Sequence, residues 1–190
     1  MRRRLTLALA LVAGLAVIVV VAGCGSSSGG STTPPPNYAK ALKGAPAPLA
    51  KLYGEANELL SGGKEAFEKR VGELGYPVVA NVWASWCGPC RLEFPIFQQV
   101  SAKWGKKVAF LGIDAEDEEA SAEQWLKERP VPYPTYFETG REIAASLKLI
   151  GRPDTAFYGP NGELVYLKQG PYTHAADLEA DIKKYALGGT

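Results

Sequence analysis

Apolar residues at Leu49, Leu52, Tyr53, Ala56, Leu59 and Leu60 recur at helical spacing, so the chain from Pro46 to about Ser61 is predicted as a helix. Gly62-Gly63 closes it, and Phe67, Val71 and Leu74 mark a second helix from Lys64 to Leu74. The pattern then changes. Tyr76 to Trp83 (YPVVANVW) is a nearly continuous β-branched and aromatic run, the mark of a central strand buried on both faces. A helix follows, then a second buried strand, Val108 to Asp114 (VAFLGID), and a helix with a charged outer face, Ala120 to Arg129. Pro130, Pro132 and Pro134 interrupt the chain, and a short helix is expected near Arg141 to Leu147. Thr155 to Tyr158 and Leu164 to Gln169 read as strands joined by Gly159-Pro160-Asn161-Gly162, a hairpin signal. A last helix is expected from about Ala175 to Leu187.

Strand–helix–strand–helix implies parallel strands with crossover helices, and the hairpin adds antiparallel ones. The expected fold is α/β: one mixed sheet flanked by helices on both faces, with an added helical N-terminal segment over residues 37–74 and the main domain over 75–190. No internal repeat is visible.

The N-terminus follows a different pattern. Met1-Arg2-Arg3-Arg4 is positive, and Leu5 to Ala22 runs 18 residues without a charge. That length lies between a signal-peptide core and a spanning helix. Val21-Ala22-Gly23-Cys24 resembles the bacterial lipobox, in which small residues precede a cysteine that is lipidated. On that resemblance residues 1–23 are a signal peptide and Cys24 carries the anchor. The alternative is an uncleaved signal anchor with an incidental cysteine. Both put everything after Cys24 outside the cytoplasm, because the arginines hold the other end inside. Gly25 to Pro36 (GSSSGGSTTPPP) cannot bury apolar surface, so residues 24–36 are expected to be a tether reaching on the order of 20 Å.

Composition adds two constraints. Without Arg2, Arg3 and Arg4 the chain has 18 basic against 20 acidic side chains, which gives no concentrated basic face for a nucleic acid. Three cysteines are an odd count for an exported protein. Lipidation of Cys24 would leave Cys87 and Cys90 as one pair.

That pair lies in Trp83-Ala84-Ser85-Trp86-Cys87-Gly88-Pro89-Cys90-Arg91-Leu92-Glu93-Phe94-Pro95, where a buried strand ends and a helix begins. Cys87 is placed just ahead of the helix, facing unpaired N–H groups and the positive end of the dipole. That setting stabilises a thiolate and makes it the attacking group. Cys90 falls one turn inside, suited to resolving a mixed disulfide, and Pro89 is tolerated in the first turn. A zinc site would need two further ligands, and His174 is the sole histidine, so no metal is expected. A structural bridge is the other alternative, but a ring this short restricts the unfolded chain little.

WASWCGPC followed by Arg-Leu-Glu-Phe-Pro resembles the active site of the thioredoxin superfamily, specifically its membrane-tethered extracytoplasmic TlpA/ResA-like branch, over roughly Val78 to the end. The resemblance implies a thioredoxin-like fold, a thiol–disulfide oxidoreductase, Cys87 as nucleophile and Cys90 as resolving cysteine. The Cys87–Cys90 disulfide is then the redox group, and no separate cofactor is implied. Gly151-Arg152-Pro153 is similar to the family's cis-proline loop, where Pro153 would lie beside the disulfide and the Arg152 backbone would pair with substrate. An ordinary trans loop proline is the alternative. Trp86, Gly88, Pro89, Arg152 and Pro153 are thus the candidate substrate contacts. Cytosolic thioredoxins carry a buried aspartate where this chain has Asn81. Here Glu93 matches the acidic residue of the TlpA/ResA-like pattern and is a candidate proton acceptor; a solvated glutamate in the first turns of the helix is the alternative reading.

The implied partners are thiols and disulfides of exported proteins, a membrane electron-transfer protein, and the membrane itself through the lipid; a monomer is expected. Reduction of disulfides, as in cytochrome c maturation, is the expected direction, with disulfide donation by the same fold as the alternative. A copper chaperone would want cysteines three residues apart, and a peroxidase a threonine shortly before its reactive cysteine, where this chain has Ser85-Trp86. Tyr133 and Tyr136, in and after the proline-rich stretch 130–134, are a second candidate contact surface.

Overall fold

A computed structural model describes residues 34–189. The expected signal peptide, Cys24 and most of the tether lie outside the described residues. Among the described residues no helix is long and apolar enough to cross a membrane.

Six strands form one sheet in the order β1-β4-β3-β2-β5-β6. They are β1 (Leu59–Leu60), β2 (Val78–Trp83), β3 (Ala109–Ala115), β4 (Thr135–Glu138), β5 (Asp154–Tyr158) and β6 (Leu164–Gln169). The first four in that order run parallel, and β5 and β6 are antiparallel to their neighbours. The helices are α1 (Tyr38–Ala41), α2 (Ala47–Tyr53), α3 (Gly63–Glu73), α4 (Gly88–Trp104), α5 (Glu119–Glu128), α6 (Glu142–Ser146) and α7 (Ala175–Asp181).

Alternation along the central strands divides two cores. Val79 and Trp83 of β2, with Phe110 and Phe157, pack against Phe94 and Phe97 of α4, Trp125 of α5 and Leu178 of α7. Val78, Ala80 and Val82 face the other way, onto Leu49 and Leu52 of α2, Phe67 and Val71 of α3, and Ile143 of α6. Such two-sided burial explains why β2 carries no polar alternation. Its one polar residue, Asn81, shares the α4 side with Val79 and Trp83.

Several elements depart from expectation. The helix predicted to reach Ser61 stops at Tyr53. Asn57 takes a left-handed conformation (φ 66°), donates its side-chain amide to the Leu126 carbonyl (2.9 Å) and accepts the Val131 N–H (3.0 Å). That anchor turns the chain, and Leu59-Leu60 becomes an edge strand paired with Thr135 and Tyr136. Residues 37–74 therefore share the sheet and the core of the residues that follow them.

The stretch after Pro134, for which no element was expected, is strand β4. The prolines precede the strand rather than interrupt it, and the Pro134 carbonyl accepts the Gly112 N–H (3.0 Å). Tyr133 and Tyr136 are accordingly buried and offer no contact surface. Tyr133 stacks on Phe110, and Tyr136 meets the edge of Phe67. Helix α1, also unforeseen, is capped by Asn37 and tied down by the Tyr38 hydroxyl on the Pro130 carbonyl (3.0 Å). The last helix changes to a π-helical turn at Ile182–Ala186.

Candidate active site

Parallel strands β2 and β3 end side by side, with Trp83 opposite Asp114, and the loops leaving them build the site. Cys87 is the N-cap of α4. Its backbone is extended, and its sulfur accepts the Cys90 N–H at 3.2 Å. Cys87 and Cys90 form a disulfide with a Cα–Cα distance of 5.3 Å. Cys87 is 4% exposed and Cys90 1%, so both residues are well covered, Cys87 slightly less so. Gly88 and Pro89 between them are exposed.

The loop carrying Cys87 is pinned from three sides. Asp117 accepts both the Ser85 N–H and the Ser85 hydroxyl, the latter at 2.9 Å. Arg91 donates its Nε–H to the Ser85 carbonyl (2.8 Å), and the Cys87 N–H reaches the Ala84 carbonyl (3.1 Å). Fixing the loop at both backbone groups of Ser85 limits how Cys87 can swing without loosening α4.

Beside the disulfide, Trp86 is 57% exposed and donates its indole N–H to the Glu116 carbonyl (2.9 Å). Arg152 stacks 5.1 Å from the Trp86 ring and pairs with the Glu116 carboxylate, which Arg141 also approaches at 3.1 Å. The Arg152 hydrogen bond, with the charges of Arg152 and Arg141, holds the Glu116 carboxyl below its ordinary pKa. The Arg152–Pro153 bond is cis, and Pro153 is buried. Trp86 and Arg152 are therefore brought together, joined by a residue the sequence reading did not single out.

Glu93 lies three residues beyond Cys90, on the same face of α4. It is fully buried, which rules out the reading of a solvated glutamate. Asn81 donates its side-chain amide to one carboxylate oxygen (2.7 Å), and the Tyr172 N–H donates to the other (2.9 Å). Burial raises its pKa from 4.5 to about 7, against the lowering effect of those two donors and of Lys168. The group is thus poised near neutrality beneath the disulfide helix.

Asp114 was missed as well. Both its oxygens are buried without a hydrogen-bond partner among the described residues, and burial first, then the neighbouring Asp117, raises its pKa to about 8. An aspartate closing an otherwise apolar strand was the available signal. The acidic run from Glu116 to Glu119, directly after β3, was another, since loops at that end of parallel strands converge. Among the described residues no group of three or more His, Cys, Asp and Glu side chains is placed to hold a metal.

Over residues 45–167 the sequence matches the AhpC/TSA family. The chain belongs to the AhpC/TSA family. Within reach of this AhpC/TSA chain is the thiol:disulfide interchange protein DsbE of Escherichia coli, 31% identical over 147 residues, covering 77% of this chain and 72% of the relative. The thiol-disulfide oxidoreductase ResA of Oceanobacillus iheyensis is 31% identical over 100 residues, 52% of each chain. Among solved structures, a DsbE homologue from Chlorobium tepidum superposes with TM-score 0.54 at 26% identity, covering 58% of this chain and 79% of that one. Mycobacterium tuberculosis dsbF gives 0.54 at 25%, with 58% and 81% covered. Family, fold and relatives make this AhpC/TSA chain a thiol–disulfide oxidoreductase of thioredoxin-like fold.

Proposed function

We propose that the chain is an extracytoplasmic reductase of disulfides in exported proteins, held at the membrane by a lipid on Cys24 and recharged by a membrane electron-transfer partner. The observation that carries this reading is the Cys87–Cys90 disulfide at the start of α4 with buried Glu93 one turn further on.

In the reduced protein the Cys87 thiolate attacks one sulfur of the substrate disulfide and expels the other as a thiolate. The resulting mixed disulfide joins Cys87 to the substrate. Cys90 then loses its proton, for which Glu93 is the acceptor, and attacks the Cys87 sulfur. The substrate leaves as a dithiol, and the Cys87–Cys90 disulfide returns. The N–H of Cys90 and the end of the helix stabilise the attacking Cys87 thiolate. A carboxyl with a pKa near 7 suits this proton transfer at neutral pH. Trp86, Gly88, Pro89, Arg152 and Pro153 supply the surface on which an extended substrate segment lies.

Cys90→Ser removes the resolving thiol and is expected to leave exported proteins covalently held on Cys87. Non-reducing electrophoresis and mass spectrometry of membranes from cells making the full-length variant identify them. Absence of such adducts, or adducts drawn from cytosolic proteins alone, would contradict the reading.

A further inference from the structure

Next to the Cys87 loop is a cavity of about 360 Å³. It is lined by Ser85 and Trp86 of that loop, by Arg91 of α4, by Ser121, Gln124, Trp125 and Glu128 of α5, and by Arg129 at the end of that helix. Its charges are unusual. The guanidinium groups of Arg91 and Arg129 lie 4.9 and 3.9 Å from the centre of the same Trp125 ring. One guanidinium on a tryptophan is a common cation–π contact; two converging on one ring repel each other.

Among the described residues Glu128 is the one carboxylate that lines the cavity, and it is already engaged. Gln124 donates to one of its oxygens (3.0 Å) and Arg129 to the other (2.8 Å). Arg91 spends its Nε–H on the Ser85 carbonyl, and its terminal N–H groups have no partner among the described residues. Trp125 is 5% exposed, and its buried indole N–H has no acceptor among the described residues. The cavity is thus lined by two guanidinium groups and one occupied carboxylate, with Ser85 and Trp86 one to two residues from the sulfur-bearing Cys87.

We propose that this cavity is an anion subsite that receives a carboxylate carried by the disulfide substrate close to its cysteine. The inference rests on the disulfide-exchange reading above and names the substrate feature that the enzyme selects. Arg91 and Arg129 make up the positive pair, and the planar fork of each matches a carboxylate. Ser85 and Trp86 share both the cavity wall and the Cys87 loop. An extended chain advances about 3.3–3.6 Å per residue, so the acidic side chain belongs roughly two or three residues from the reacting cysteine. The same chemistry is available from an acidic protein segment or from a small thiol peptide with a free carboxylate.

The test uses the full chain, purified in detergent and reduced, with disulfide-closed peptides that differ only in Glu or Gln two residues from one cysteine. Quenched alkylation and mass read the rate at which the protein dithiol becomes the Cys87–Cys90 disulfide as the peptide becomes a dithiol. The Glu peptide is expected to react roughly five- to tenfold faster at low salt, the scale of one or two partly screened charge pairs. Arg129→Gln and Arg91→Gln should bring the Glu-to-Gln ratio close to one, while Lys127→Gln, on the same helix but outside the cavity, leaves it unchanged. Oxidised glutathione and its ethyl ester form a second arm. An Arg129-dependent preference there alone assigns the subsite to small peptides, and in the closed peptides alone to protein segments.

Equal rates for the Glu and Gln peptides, together with equal rates for oxidised glutathione and its ethyl ester, would overturn the subsite and leave disulfide exchange standing. An equal loss of preference in Lys127→Gln would overturn it too, in favour of general charge steering. If no peptide oxidises the dithiol, both the subsite and the exchange reading fail.

Discussion

Replacing Glu93 by glutamine should make the protein more stable at alkaline pH and at the same time a slower enzyme. Glu93 is fully buried, and its carboxyl titrates near 7 in the fold against 4.5 ordinarily. A carboxyl whose pKa is raised by folding leaves stability untouched below the unfolded value. As pH rises from 4.5 towards 7 the unfolded chain releases the proton and the folded one keeps it, so stability falls. The full loss is about 3 kcal/mol by pH 8. Glutamine carries no such penalty, but its amide nitrogen faces a donor. Asn81 relieves that by flipping, since its own Oδ1 is buried without a partner. One unpaired N–H remains, at about 1 kcal/mol. Glu93→Gln is therefore expected to be about 1 kcal/mol less stable than wild type near pH 4 and about 2 kcal/mol more stable at pH 8. Urea unfolding of the oxidised proteins at a series of pH values reads this directly. The difference between the two proteins isolates Glu93, because Asp114, Glu138 and Asp154, whose pKa values are also raised, titrate in both. Resolution of a mixed disulfide at pH 7 should slow at least about tenfold in the variant. Parallel stability curves with no crossing between pH 4 and 8 would refute the assignment of a neutral-range carboxyl.

Three further substitutions probe the scaffold. Leu49→Ala empties a fully buried position in α2 and should cost about 2–5 kcal/mol in urea unfolding, showing that the N-terminal segment belongs to the core; a loss below about 1 kcal/mol would separate that segment from the domain. Gly112→Ala would set a methyl 2.3 Å from the Thr135 hydroxyl, between the central strands β3 and β4, and should cost about 1–3 kcal/mol. Trimming Thr135 to alanine in the same chain should recover part of it. Asp117→Ala removes the acceptor of the Ser85 N–H and hydroxyl; faster hydrogen exchange at Ser85 and a loss of about 1–3 kcal/mol are expected.

Much of this molecule is legible in its sequence, and the exceptions share a cause. YPVVANVW and VAFLGID lie at the sheet centre because their residue types leave no alternative to two-sided burial. Cys87, Cys90 and Glu93 stand at fixed offsets on one helix, so their grouping follows from local geometry. Leu59-Leu60 did not reveal its strand, because two apolar residues after a helical run fit either period, and only β4 as a neighbour decides between them. The pairing of Trp86 with Arg152 through Glu116, and of Asp117 with Ser85, joins residues more than thirty positions apart and depends on which loops share an end of the sheet. Tyr133 and Tyr136 read as a surface beside their prolines, yet they fill the space against Phe110 and Phe67. The convergence of Arg91 and Arg129 on Trp125 likewise brings α4 and α5 together through packing alone.

Titrating the Cys87–Cys90 pair in defined dithiol buffers, with free thiols counted by alkylation and mass, tests the proposed chemistry most directly. A reversible two-electron step at or below the thioredoxin value of about −270 mV is predicted for a reductase. A potential near about −120 mV would contradict the reducing direction, and a pair with no reversible step would contradict disulfide exchange itself.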